Sequence, residues 1–306
     1  MLFEIRTILR RRVTPAGSLM AVAGLLSLAG CAPRPDDGDP SSFDAAADAA
    51  TIIEPVPDAP VIADEGLPGT MEPIRGLEPP ARQFCVAPDD EGPHPAVLLL
   101  HTHWGLDESH RSFARRLAAA GFSVCSPDVF EGVTSTSTRT REKLLNGVSR
   151  KRATQLVRAA LADLPNREGV IEGAIGVVGL GPGGVWAYEA LAAGQASGVD
   201  ASAVEIRVLA LDATRFRDEQ AELAPVPCPV LLIHGERDAA YSGASGADMV
   251  ARLEAAATGG VTVRSIPGAG VQVFDTHIRA YSEWADREAF ELLIESLRRH
   301  TASESS

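Results

Sequence analysis

From about residue 82 onward the chain alternates two kinds of stretch, and that alternation limits the folds open to it. Near-continuous apolar runs of strand length lie at 82–87, 96–101, 122–128, 174–179, 204–211, 229–234 and 261–266. Helix-period segments separate most of them, at 108–120, 142–163, 183–193, 243–257 and 281–300. A strand that is apolar at nearly every position has to be covered on both faces. Alternated with amphipathic helices, such strands predict an α/β fold: a mostly parallel central sheet with helices on both faces, in one domain over residues 81–306.

Residues 1–80 carry neither pattern. Arg6, Arg10, Arg11 and Arg12 precede an apolar run from Ala16 to Ala29, which has the length of an export signal and is short for a membrane span. It ends Leu28-Ala29-Gly30-Cys31, which resembles a bacterial lipobox. The resemblance implies a lipoprotein signal peptide over residues 1–30, lipidation of Cys31, and an exported protein anchored to a membrane, in the periplasm or at the cell surface. Residues 32–80 hold ten prolines, eleven acidic residues and two arginines. Such a segment buries too little apolar surface to offset its ordering entropy, so 31–80 reads as a disordered acidic, Pro/Ala-rich tether.

The net charge of −13 excludes a nucleic-acid partner, since nothing here would neutralise phosphates. Beyond Cys31 there are Cys85, Cys125 and Cys228, an odd number with no metal-ligand spacing, so at least one thiol is left over within a chain.

The stretch Gly176-Val177-Val178-Gly179-Leu180-Gly181-Pro182-Gly183-Gly184 joins a strand pattern to a helix pattern and admits two readings. Gly179-x-Gly181-x-x-Gly184 fits a dinucleotide fingerprint. That fingerprint expects an acidic residue about twenty positions on to hold a ribose; Asp200 lies near that distance in a polar loop, and the next strand ends at Asp212. The other reading is the strand-to-helix bend on which hydrolases carry a nucleophile.

The surrounding segments favour the second. His101-Thr102-His103-Trp104-Gly105-Leu106, Ser126-Pro127-Asp128-Val129-Phe130, the glycine turn, Val230-Leu231-Leu232-Ile233-His234-Gly235-Glu236-Arg237-Asp238, and Pro267-Gly268-Ala269-Gly270 occur in the order in which the dienelactone hydrolase family has its counterparts. The chain resembles that family over roughly residues 82–300. The resemblance implies an α/β-hydrolase fold, a carboxylic ester or lactone hydrolase ancestry, no cofactor, and neighbouring strands for Cys85 and Cys125, whose pairing it leaves open.

Against the family's pattern the chemistry is depleted. The nucleophile's position is Gly181, the histidine's is Val271, and the glutamate of the first segment is Thr102. Of the triad the resemblance retains only Asp238, which without a histidine has no imidazole to orient. Pro182 removes the N–H that would face a developing oxyanion. The expectation is a pseudohydrolase that binds an unidentified small molecule or protein at the C-terminal ends of the strands, with Thr102, His103, Trp104, Gly181, Pro182 and Asp238 on the rim. Two alternatives stay open: an active hydrolase with a relocated site, using His277 with Ser242 or Ser245, and the dinucleotide protein. His101 and His103 at a strand end, with His110 and Asp107 nearby, could ligate a metal, but no matching acidic or histidine cluster follows downstream, and no metal is expected.

Overall fold

The computed structural model describes residues 66–302 apart from 136, 194–203, 213, 215–222 and 242. The signal peptide, Cys31, the tether up to residue 65, Asp200 and Ser242 lie outside the described residues.

Eight strands form one sheet: β1 (Thr70–Pro73), β2 (Arg82–Val86), β3 (His94–Leu100), β4 (Ser123–Pro127), β5 (Val170–Leu180), β6 (Ile206–Asp212), β7 (Val230–Gly235) and β8 (Val261–Ile266). Their spatial order is β1-β2-β4-β3-β5-β6-β7-β8. The β1–β2 and β2–β4 pairs are antiparallel, and every pair from β4 to β8 is parallel. Among the described residues six α-helices accompany the sheet, five between strands and the last after β8: α1 (Glu108–Ala119), α2 (Thr138–Gly147), α3 (Arg150–Asp163), α4 (Pro182–Ala192), α5 (Gly243–Ala256) and α6 (Glu283–Thr301).

The sheet separates two cores, and β3 shows how. Leu98 and Leu100 pack with Leu156, Leu161, Ala187 and Leu253 from α3, α4 and α5. Val97 and Leu99 pack on the other face with Phe113, Leu117, Leu293 and Leu297 from α1 and α6. The period of two in a strand sends neighbours to opposite faces, and here both faces are covered. Residues 96–100 are all wholly buried, and each such leucine contributes on the order of 1.5–3 kcal/mol of transfer free energy.

Two features depart from the expectation, and a third decides a pairing that the sequence left open. The folded body begins before residue 81: β1 adds an edge strand, Ile74 donates its N–H to Ala81 O (2.9 Å), and Leu67, Ile74 and Leu77 are buried. Three spaced aliphatic anchors suffice to dock a proline-rich segment onto the sheet edge, where Pro73 removes no needed donor. The single helix read over 142–163 is two, α2 and α3, because Val148 is extended and Ser149 opens a new helix by accepting the Arg152 N–H (3.4 Å). Cys85 and Cys125 stand opposite each other in the β2–β4 register and form a disulfide, leaving Cys228 as the free, buried thiol.

Candidate functional site

At the C-terminal end of β5 the chain turns sharply at Gly181, with φ 53° and ψ −121°. This is a conformation that a residue with a Cβ adopts only under strain. The other glycines of the turn have a different cause. A Cβ on Gly179 would stand 2.3 Å from Gly184 Cα, and one on Gly183 would stand 2.5 Å from His101 O. The repeated glycines therefore let the start of α4 press against β5 and the end of β3. Pro182 occupies the first helical position, where its missing N–H is harmless to the helix.

The backbone of the bend is largely committed. Gly181 donates its N–H to Asp212 O (2.9 Å), and its carbonyl accepts from Gly184 N (3.1 Å) and Thr214 Oγ1 (3.2 Å). With Pro182 lacking an N–H, the turn is poor in the amides that would cradle a pyrophosphate, and buried aspartates lie beside it. The geometry argues against the dinucleotide reading.

The space above Gly181 is filled from the loop after β8. A Cβ on Gly181 would meet Gln272 Nε2 at 2.7 Å, and Gln272 itself has a positive φ of 57°. The side chain facing the bend is therefore that of Gln272. Val271, assigned by the sequence to the histidine's position, is 38 % exposed. The correction is one residue of register in an irregular loop, where no period fixes which neighbour points inward. Gln272 was missed for that reason.

Three carboxyl groups gather below this loop. Asp212 ends β6 and is buried, with the backbone N–H groups of Val273 and Phe274 close to its side chain. Burial pushes its pKa up to about 8, with Asp275 and Asp238 adding to the rise against those two N–H groups. Asp238, expected on the rim, is instead wholly buried after β7, where Oδ1 accepts from Ala240 N (3.0 Å). Asp275, which no sequence signal marked, is buried and collects several donors: Trp104 Nε1 (2.8 Å), His277 N (2.9 Å) and His277 Nδ1 (3.2 Å), with His103 Nε2 at 3.7 Å.

The histidines divide by environment. His101 is wholly buried, with Nδ1 donating to Thr102 O (2.8 Å) and Nε2 accepting from Val129 N (3.1 Å). Both nitrogens are occupied, so it cannot ligate. Burial, and then His101 beside it, lower the pKa of His110 to about 3, and its Nε2 pairs with Ser126 Oγ at 2.7 Å. Among the described residues no group of three or more His, Cys, Asp or Glu side chains is placed to hold a metal ion. His277 stacks on Trp104 with ring centroids 4.8 Å apart and pairs with Asp107 Oδ2 (2.9 Å) as well as Asp275. Burial alone would lower its pKa, but hydrogen bonds and charge from Asp107 and Asp275 outweigh it and raise the value to about 9. An imidazolium at neutral pH takes no proton, so His277 does not fit the relocated base. Ser245 is exposed on α5.

Thr102, His103 and Trp104 form the loop after β3. Thr102 Oγ1 accepts from Trp104 N (3.2 Å), and Thr102 O accepts from Gly105 N (3.2 Å). The predicted residues thus fall into two connected groups. Gly181 and Pro182 lie at the bend with Gln272. His103 and Trp104 are held by Asp275, three residues further along the same loop.

A mainly parallel sheet with helices on both faces and a strand-to-helix bend at this crossover fit the α/β-hydrolase fold. The dienelactone hydrolase family profile matches residues 82–301, and the chain belongs to that family. Solved structures agree in fold. A dienelactone hydrolase-type protein from Klebsiella pneumoniae superposes with a TM-score of 0.62 at 18% identity, over 76% of this chain and 99% of that one. The dienelactone hydrolase-like promiscuous phosphotriesterase P91, from metagenomic libraries, gives 0.60 at 14% identity, over 76% and 98%. Esterase B of Lactobacillus rhamnosis gives 0.56 at 16% identity, over 85% and 94%. Among curated proteins none matches this chain.

Proposed function

We propose that this domain is a non-catalytic member of its family, exported and lipid-anchored at Cys31, that binds a small molecule or a protein partner at the C-terminal ends of the strands. One observation carries the reading: the bend holds Gly181, with no side chain to attack a carbonyl, and the amide of Gln272 fills the volume a nucleophile would use. Pro182 adds to it, because a missing oxyanion donor costs about 3–4 kcal/mol of transition-state stabilisation. His277 adds to it as well, since its proton is held by two carboxylates.

The test is to treat the purified mature chain with a fluorophosphonate probe and with iodoacetamide, and to assay short aryl esters in parallel. The expected result is no adduct at any residue around the bend and no hydrolysis above the solution rate. An adduct mapped to one residue there, whose substitution abolishes ester turnover, establishes instead an active hydrolase with a moved nucleophile, the activity that esterase B and P91 carry in their names.

A further inference from the structure

The solvent side of α6 carries a pattern that its own molecule leaves unused. Glu283, Arg287 and Glu291 are exposed and follow one another at one-turn intervals, so they stand in a row along one side of the helix. That spacing allows ion pairs within the helix, and Arg299 with Glu295 forms one further along it. None of the three does so among the described residues.

The same row borders a groove of about 360 Å³ between α1 and α6, lined also by Ala119, Ala120 and Phe290. Arg116 lies at the groove but is committed to its own fold. Its two terminal nitrogens bond Asp286 (2.7 and 3.2 Å), and its guanidinium lies 4.1 Å from the centre of the Phe290 ring. Next to Glu283 stands Trp284, 47% exposed and the largest exposed apolar side chain among the described residues. A lone exposed apolar side chain is ordinary. An exposed indole beside a partly apolar groove and a row of unpaired charges has the composition of a protein contact, with an aromatic anchor and a polar rim.

We propose that this face binds a second copy of the chain, with the two α6 helices antiparallel across a two-fold axis at the level of Ala285. The charge row selects that partner. A two-fold axis reverses the order of residues, and a negative–positive–negative row, reversed and moved by one turn, sets an arginine opposite a glutamate. With the axis at Ala285, Glu283 of each copy faces Arg287 of the other, so one ion pair is made twice. Both residues border the groove, so the two pairs close its mouth in each copy. The two Trp284 side chains then lie on either side of the axis, within reach of each other and of the Arg287 guanidinium groups. An axis at Ala289 would pair Arg287 with Glu291 but oppose Glu283 to Glu295, which favours the first register. The inference is independent of what the strand ends bind.

The experiment is sedimentation velocity on the mature chain from micromolar to hundreds of micromolar, with Cys31→Ser as background so that no acyl chain drives association. The expected result is a concentration-dependent monomer–dimer equilibrium. Trp284→Ser, Glu283→Arg and Arg287→Glu should each weaken the dimer about tenfold or more, because each removes or reverses a contact made twice. The charge-swapped Glu283→Arg/Arg287→Glu chain should dimerise within about threefold of wild type, since the swap restores opposite signs across the axis. An equimolar mixture of the two single charge variants should form a heterodimer at concentrations where neither associates alone. A chain that stays monomeric throughout overturns the proposal. So does a dimer indifferent to the single variants, or one that neither the swap nor the mixture restores. Thermal midpoints check that each variant is folded. If Glu283→Arg, in the first turn of α6, does not fold, Trp284→Ser and Arg287→Glu decide by themselves, and unchanged dimerisation in both overturns the proposal.

Discussion

A Cβ placed on Gly181 would stand 2.7 Å from Nε2 of Gln272. One residue supplies the bend without a side chain, and the other, from a loop some ninety positions along the sequence, supplies the atoms that fill the gap. The two positions are coupled through a single volume. Gly181→Ala should destabilise the domain by about 1–3 kcal/mol, from strain at its positive φ and displacement of the amide. Combining it with Gln272→Ala should recover about 0.5–1 kcal/mol, the part due to the collision. Urea denaturation of the two single variants and the double variant measures both, and strict additivity would show that the side chains do not meet.

Gly179→Ala should be the more damaging substitution, although Gly179 has ordinary strand geometry. Its Cβ would meet backbone of α4, 2.3 Å from Gly184 Cα, where no rotamer change gives relief. A loss of about 3 kcal/mol or more is expected, and far-ultraviolet dichroism through a denaturant titration checks it. A stable Gly179→Ala protein would mean that α4 does not press on β5 as described.

The Cys85–Cys125 bond closes a loop with a sequence separation of 40. On the chain-entropy account, removing it should cost up to about 4 kcal/mol. The Cys85→Ser/Cys125→Ser variant should show a lower denaturation midpoint than wild type in non-reducing buffer. The difference should vanish when both are measured fully reduced. Cys228 should stay unlabelled by thiol reagents in the native protein, since burial pushes its pKa to about 12.

The pairing of His277 with Asp107 and Asp275 gives stability a definite pH window. Its raised pKa means that the contribution is present below 6.5 and disappears as pH passes about 9. The thermal midpoint of wild type should fall over that interval, and His277→Gln should lower the midpoint at pH 6 while leaving it nearly unchanged at pH 9.5. The side chain is 34% exposed, so raising the salt concentration should shrink the pH 6 difference.

What the sequence determined about this protein is the part governed by local repetition. Near-continuous apolar runs and helical periods placed β2 to β8 and their covering helices, because each element needs only its own residues to declare which faces must be buried. Gly181 and Pro182 were legible at the bend for the same reason: lacking a side chain and lacking an N–H are properties of single residues. Tertiary structure decided the rest, where position depends on partners distant in the chain. It drew residues 66–80 onto the sheet edge through Leu67, Ile74 and Leu77. It buried Asp238, which sequence had placed on the rim. It also chose Gln272 over Val271 to face Gly181, gathered Trp104, His103 and His277 around Asp275, and turned His277 from a possible base into a fixed cation. Loops carry no period, so which of their side chains point inward, and what charge those hold, is set only when the strands have brought them together.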